Sequence, residues 1–205
     1  MAGMARALGS LLDACRYVPT CVVGHSAGAA VAVRLALDGG LSPSCTIIGL
    51  NAALLPFGGA AGAVYAALAR LLAAAPLVPH LAAWRARDPA GIRRLIDATG
   101  SRLDADGVAC YARLLSNPDH IAGVLAMMAN WDLNALAKDL PSLRQPLHLL
   151  VGERDRAVPP AQVAAVARRV AGARVHRLPE LGHLMHEEAP ALLADRIVAL
   201  SRASN

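Results

Sequence analysis

Apolar positions recur at two different periods along this chain. Over residues 3–16, Met4, Ala7, Leu8, Leu11 and Leu12 share one side of a 3.6-residue repeat, which predicts an amphipathic helix. A short apolar, β-rich run over 20–24 leads straight into Gly24-His25-Ser26-Ala27-Gly28. An alanine-rich helical stretch follows from about Ala27 to Leu37, closed by Gly39-Gly40. Further strands are expected over 45–50, 147–151 and 174–178, and further helices over 160–171 and from Pro190 to about Arg202. Strands that are apolar almost throughout, alternating with helices, predict an α/β fold: a parallel sheet with helices on both faces.

The middle of the chain, 54–140, has another texture. It offers no good strand and reads as helical. Asp88-Pro89 and Asn117-Pro118 each place a capping side chain before a proline at the first helical position, and Gly100 ends the helix that Pro89 begins. The expected organisation is therefore a first part of the core over 1–53, a helical cap over 54–140, and a second part of the core over 141–205. A helical block set between sheet elements suits a cover over a site, shaping an apolar substrate pocket.

Gly24-His25-Ser26-Ala27-Gly28 between a strand and a helix is the pattern of a nucleophile elbow, a sharp turn that holds a serine exposed under strain. Both glycines are expected where neighbouring backbone passes too close for a Cβ. A serine hydroxyl needs a base, and the base needs a carboxylate to fix its tautomer. Asp155 follows the strand at 147–151, and His183 lies in the loop after the strand at 174–178, so the order is Ser26, Asp155, His183. All three sit beyond the carboxyl ends of expected parallel strands, where open α/β sheets place their sites.

Each has a rival. Ser26 also suits a helix N-cap, Glu153 is a second acid near the same strand end, and His186 stands beside Glu187 and Glu188 at the start of the last helical region. Asp155 lies too far upstream of Pro160 to cap that helix. His25 is assigned to the pocket wall. The backbone N–H of Ala27 is the expected first oxyanion donor. A second donor usually comes from an earlier His-Gly loop, which this chain lacks. With one helix and one strand ahead of Ser26, the expectation is an amino-terminally truncated fragment.

Composition narrows the function classes. Aromatic residues make up 3% of the 205, so leucine, valine and alanine must fill the core. The net charge of +5 comes from scattered arginines with no aromatic interleaving, which argues against nucleic-acid binding. Cys15, Cys21, Cys45 and Cys110 form no C-x-x-C pair, and a reducing cytoplasm fits them. The uncharged stretch from Gly39 to Ala69 is broken by prolines and glycines. It argues against a membrane span while leaving room for peripheral contact. His183-x-x-His186-Glu187 matches neither H-E-x-x-H nor H-x-x-E-H, so no metal is expected, and nothing calls for a cofactor.

With the triad order, the elbow, Gly152-Glu153-Arg154-Asp155 and Gly182-His183 in place, the chain resembles the carboxy-terminal two-thirds of an α/β-hydrolase. Three further stretches narrow this. Gly49–Gly62, Gly100-Ser101-Arg102-Leu103-Asp104 and Met127–Leu133 are similar to the magnesium-chelatase accessory family of bacteriochlorophyll synthesis. That resemblance implies a role where magnesium enters protoporphyrin IX, with a porphyrin as ligand and magnesium-chelatase subunits as partners. Arg85, Arg87, Arg93, Arg94 and Arg102 are candidates to pair with porphyrin carboxylates, or they form a solvated face. Two other functions fit the same residues: a general esterase or lactonase of small apolar substrates, and a non-catalytic porphyrin-binding or chaperone-like module.

Overall fold

The computed structural model describes residues 1–56, 68 and 70–203. Strands β1 (Cys21–His25), β2 (Thr46–Leu50), β3 (Leu147–Gly152) and β4 (Arg174–Leu178) form one sheet in the order β1-β2-β3-β4, with every neighbouring pair parallel. Period-2 alternation sends both faces of the central strands into apolar surroundings. Ile47, Leu147, Leu149 and Val151 enter one cluster, while Ile48, Leu50, Leu150 and Leu178 enter another. Both central strands are buried along their whole length.

Helix α1 (Ala2–Ala14) packs on α2 (Ala27–Leu37), whose Ala29, Ala30, Ala32 and Ala36 are buried in the first cluster. Small side chains there let α2 approach the sheet closely. Parallel crossovers are right-handed, so the links β1–β2 and β3–β4 place their helices on one face. The opposite face is covered by the chain after β4, through Met185 and Leu193.

Between β2 and β3 stand α3 (Val78–Arg85), α4 (Pro89–Ala98), α5 (Ala105–Leu115), α6 (Pro118–Ala129) and α7 (Asn134–Asp139). The expected caps form. Asp88 accepts from the N–H groups of Ala90 and Gly91, and Asn117 accepts from that of Asp119. Part of this block has its own small apolar cluster of Ile92, Ile96, Leu103 and Val108, which also takes in Leu184 from the far end of the chain. Leu133, Leu136 and Leu140 instead return to the main core, and Arg34 of α2 pairs with Asp139 of α7 at 2.6 Å. The helical expectation for 57–67, and the Phe57–Gly62 part of the family-like stretch, lie outside the described residues.

Helix α8 (Pro160–Ala167) ends sooner than the expected 160–171. The Arg169 N–H bonds back to Val166 at 2.8 Å, tightening the last turn, and Gly172 adopts φ +77° before β4 begins. The chain closes with α9 (Met185–Glu188) and α10 (Pro190–Ala203). Among the described residues no helix is long and apolar enough to cross a membrane.

Candidate active site

Ser26 follows β1 at φ +51°, ψ −117°, a region that a residue with a Cβ enters only under strain. The surroundings enforce it. The Ser26 N–H donates to Leu50 O at the end of β2, and the Ser26 carbonyl accepts from Ala29 and Ala53, both at 3.2 Å. A Cβ on Gly24 would stand 2.6 Å from the Ala29 backbone, so that position admits only glycine. Gly28 corrects the sequence expectation, because a Cβ there meets nothing within 4 Å. The start of α2, with its positive dipole end, adjoins the serine, and Ala27 N is one of the amides with no partner in the helix.

Asp155 and His183 do come together. The carboxylate is fully buried, and its Oδ1 accepts from the N–H groups of Ala157 and Val158, both at 2.8 Å. These bonds fold the loop around the acid and leave Oδ2 for His183 Nδ1, also at 2.8 Å. An ionised carboxylate only accepts, so His183 Nδ1 carries the proton and Nε2 is left with its lone pair. The Ser26 hydroxyl makes no hydrogen bond to this ring, although the ring of His25, its chain neighbour, lies 4.7 Å from it, tilted by 53°. Catalytic contacts of this kind often tighten only when substrate is bound. The rival residues go elsewhere: Glu153 pairs with Arg177 at 3.1 Å, and His186 faces His25 at 4.4 Å.

Sequence reasoning missed the residue that ties these loops together. Asn51, at the end of β2, is wholly buried at φ +44°, a conformation asparagine tolerates better than most residues. Its Nδ2 donates to Gly182 O at 2.8 Å and His183 O at 2.9 Å, while its Oδ1 accepts from Gly152 N at 2.8 Å. One side chain therefore joins the base of the acid loop to the histidine loop. The only signal in the sequence was an amide residue ending a buried strand. His25 adds a second tie, donating from Nε2 to His183 O at 2.8 Å. Burial pushes its imidazole down to about 4, so it stays neutral.

A segment from the inserted helices wedges against both loops. The Arg156 N–H donates to Thr99 O at 3.0 Å, and the Leu184 N–H donates to Ser101 Oγ at 2.7 Å. Glu188 accepts from Gly182 N and Arg102 N, and the Tyr111 hydroxyl donates to Glu187 at 2.6 Å. Burial, with the Glu187 carboxylate beside it, raises the Tyr111 hydroxyl above its ordinary range. Gly100, at φ +85°, lies so close to Arg154 that a Cβ would overlap its carbonyl oxygen, and a Cβ on Gly182 would overlap Gly100.

The five arginines singled out from the sequence do not converge. Arg93 and Arg102 border one cleft, beside Arg154 and Arg156. Arg85, Arg87 and Arg94 border another, with Trp84 and Leu95. Among the described residues no group of three or more histidine, cysteine or acidic side chains is placed to hold a metal ion.

Comparison with known proteins agrees with this architecture. The sequence pattern of the alpha/beta hydrolase family matches residues 2–196. The magnesium-chelatase 30 kDa subunit of Rhodobacter capsulatus is 43% identical over 199 residues, which are 95% of this chain and 67% of that protein. An esterase from Exiguobacterium antarcticum superposes with a TM-score of 0.73 at 16% identity, over 97% of this chain and 72% of that one. A thermophilic esterase from Thermogutta terrifontis gives 0.72 at 21% identity, over 100% of this chain and 72% of that one. By its parallel sheet, its strained serine turn and a family pattern running through nearly its whole length, the chain belongs to the alpha/beta hydrolase family.

Proposed function

We propose that this chain acts in magnesium chelation for bacteriochlorophyll synthesis as a chelatase accessory protein carrying a serine-hydrolase triad. Ser26 is the nucleophile, His183 the general base and Asp155 the orienting acid. The chemistry is supported by the buried 2.8 Å bond from His183 Nδ1 to Asp155 and by a serine held at positive φ, whose chain neighbour His25 bonds to His183 O. The 43% identity to a magnesium-chelatase 30 kDa subunit supports the biological role.

In this reading Ser26 Oγ attacks a carboxylic-ester carbonyl and gives its proton to His183 Nε2, while Asp155 stabilises the imidazolium. The tetrahedral oxyanion forms against the Ala27 N–H at the start of α2. His183 returns the proton to the departing alcohol, and a water activated by the same ring then hydrolyses the acyl-serine. The segment 54–140 acts as the cap, the ligand is a porphyrin or a small apolar ester, chelatase subunits are the partners, and the cytoplasm is the site of action.

A serine-directed fluorophosphonate tests the chemistry, and pigment synthesis in cells lacking the gene tests the role. Wild type should be labelled and Ser26→Ala should not. Wild type should restore pigment where Ser26→Ala does not. Absence of labelling on folded wild type would remove the triad reading. Equal rescue by Ser26→Ala would make the protein a binding module, and labelling without any pigment phenotype would make it a general esterase.

A further inference from the structure

On the side of the acid loop bordered by Arg154 and Arg156, a cleft of about 1020 Å³ opens at the seam between the core and the inserted helices. Arg93 and Arg102 border it from the insertion, and Arg154 and Arg156 from the acid loop, with Asp97, Glu153 and Asp155 among them. Its floor includes Gly100 and Ser101, whose close approach to Arg154 leaves no room for a side chain at Gly100. Ser26 does not border this cleft.

The charges do not cancel within it. Glu153 is committed to Arg177 at 3.1 Å, and Arg154 is committed to Glu180. Arg93 spends one N–H on the Leu103 carbonyl at 3.3 Å. The guanidinium groups of Arg102 and Arg156 have no hydrogen bond or ion pair among the described residues, and the acids that remain at the cleft are Asp97 and Asp155, the second bonded to His183. Arg93, Arg102 and Arg156 against the carboxylates of Asp97 and Asp155 leave a net positive site, built from both sides of a seam. Guanidinium forks bind carboxylate and phosphate oxygens in pairs, with charge-assisted bonds stronger than neutral ones.

We propose that this cleft binds a small organic polyanion, a ligand bearing two or more carboxylate or phosphate groups. Its volume lies in the range of small-molecule sites and far exceeds what one inorganic oxyanion fills. The ligand bridges Arg102 on the insertion to Arg156 on the acid loop, where the Arg156 N–H already meets Thr99 O at 3.0 Å. Binding therefore clamps the seam against which Asp155 and His183 are set. The site does not depend on Ser26 being reactive.

Isothermal titration of the whole chain with citrate, and separately with pyrophosphate, tests this at about 0.15 M salt, where exposed charges are largely screened. Saturable binding is expected with at least one probe, and the tighter of the two identifies the preferred oxyanion. Arg102→Gln/Arg156→Gln should weaken it by about tenfold or more, the loss expected when charge-assisted contacts go. Arg168→Gln/Arg169→Gln, which removes the same charge from an exposed turn outside the cleft, should leave it nearly unchanged. Arg156→Lys keeps the charge but not the fork, and should weaken binding severalfold without any question of folding. Failure of both probes to saturate would overturn the proposal. Equal losses in the two double variants would do the same, because the attraction would then be diffuse.

Discussion

Replacing Gly100 by alanine puts a methyl group where the Arg154 carbonyl oxygen now lies, at a backbone angle of φ +85°. Two costs follow, and they are separable. Holding an L-residue in the left-handed region costs about 1–2 kcal/mol. Forcing a methyl group into close-packed backbone costs roughly 1–3 kcal/mol, because the acid loop or the wedge must move. The sum, about 2–5 kcal/mol, is a large share of the roughly 5–15 kcal/mol that holds an ordinary domain together. Urea unfolding should show a lower midpoint at an unchanged slope. Gly100→Asn divides the two costs: asparagine tolerates the backbone angle but carries the same Cβ, so most of the steric loss should persist. Gly28→Ala is the control of opposite sign. Its Cβ enters open space on a helix, and it should stabilise by about 0.5–1 kcal/mol. A loss below about 1 kcal/mol for Gly100→Ala would refute the reasoning, because the wedge would not then press on Arg154.

Other substitutions probe the ties around the histidine loop. Asn51→Ala leaves Gly152 N and Gly182 O buried without partners, at about 1–3 kcal/mol each, so chemical denaturation should show a loss of several kcal/mol. An unchanged midpoint would mean that Asn51 does not carry the link. His25 has its imidazole pushed from 6.5 to about 4, chiefly by burial, against the hydrogen bond to the His183 carbonyl and the nearby Asp155, with the His183 and His186 rings adding to the fall. The unfolded chain therefore takes up a proton first as pH falls. The stability His25 contributes is complete above pH 6.5 and is lost between there and about pH 4, amounting to roughly 1–3 kcal/mol. His25→Gln should flatten that part of the stability–pH curve relative to wild type, and a parallel curve would contradict it. On the proposed chemistry, Asp155→Asn should slow fluorophosphonate labelling by about 10³–10⁴-fold while Ser26 stays in place, since the amide favours the wrong imidazole tautomer. Labelling at the wild-type rate would exclude Asp155 as the orienting acid.

Much of the fold could be read along the chain because the signals are local. The caps at Asp88 and Asn117 act on amides two or three residues away, and they form where expected. Strand and helix periods specify themselves over a few residues, which is why β1, α2 and the elbow were legible from Val22 through Leu37. The end of α8 was misread because its last turn tightens around Val166 and Gly172, which periodicity alone does not report.

The sequence by itself thus determined the parallel α/β elements, the strained serine turn and the order Ser26, Asp155, His183. Tertiary structure decided which of these meet and what holds them. Asn51 lies 101 residues from Gly152 and 132 from His183, and only the placing of β2 beside β3 brings all three together. The same holds for Gly100, which reads locally as a helix stop and proves to be the point where the insertion touches both loops. Gly28 goes the other way, a motif glycine around which the folded chain leaves space. The arginines of the insertion divide between two clefts because α4 turns Arg93 and Arg94 towards different neighbours. Spacing along a chain constrains contacts within a turn or two, whereas contacts across a hundred residues exist only once the sheet has set the distance between strand ends.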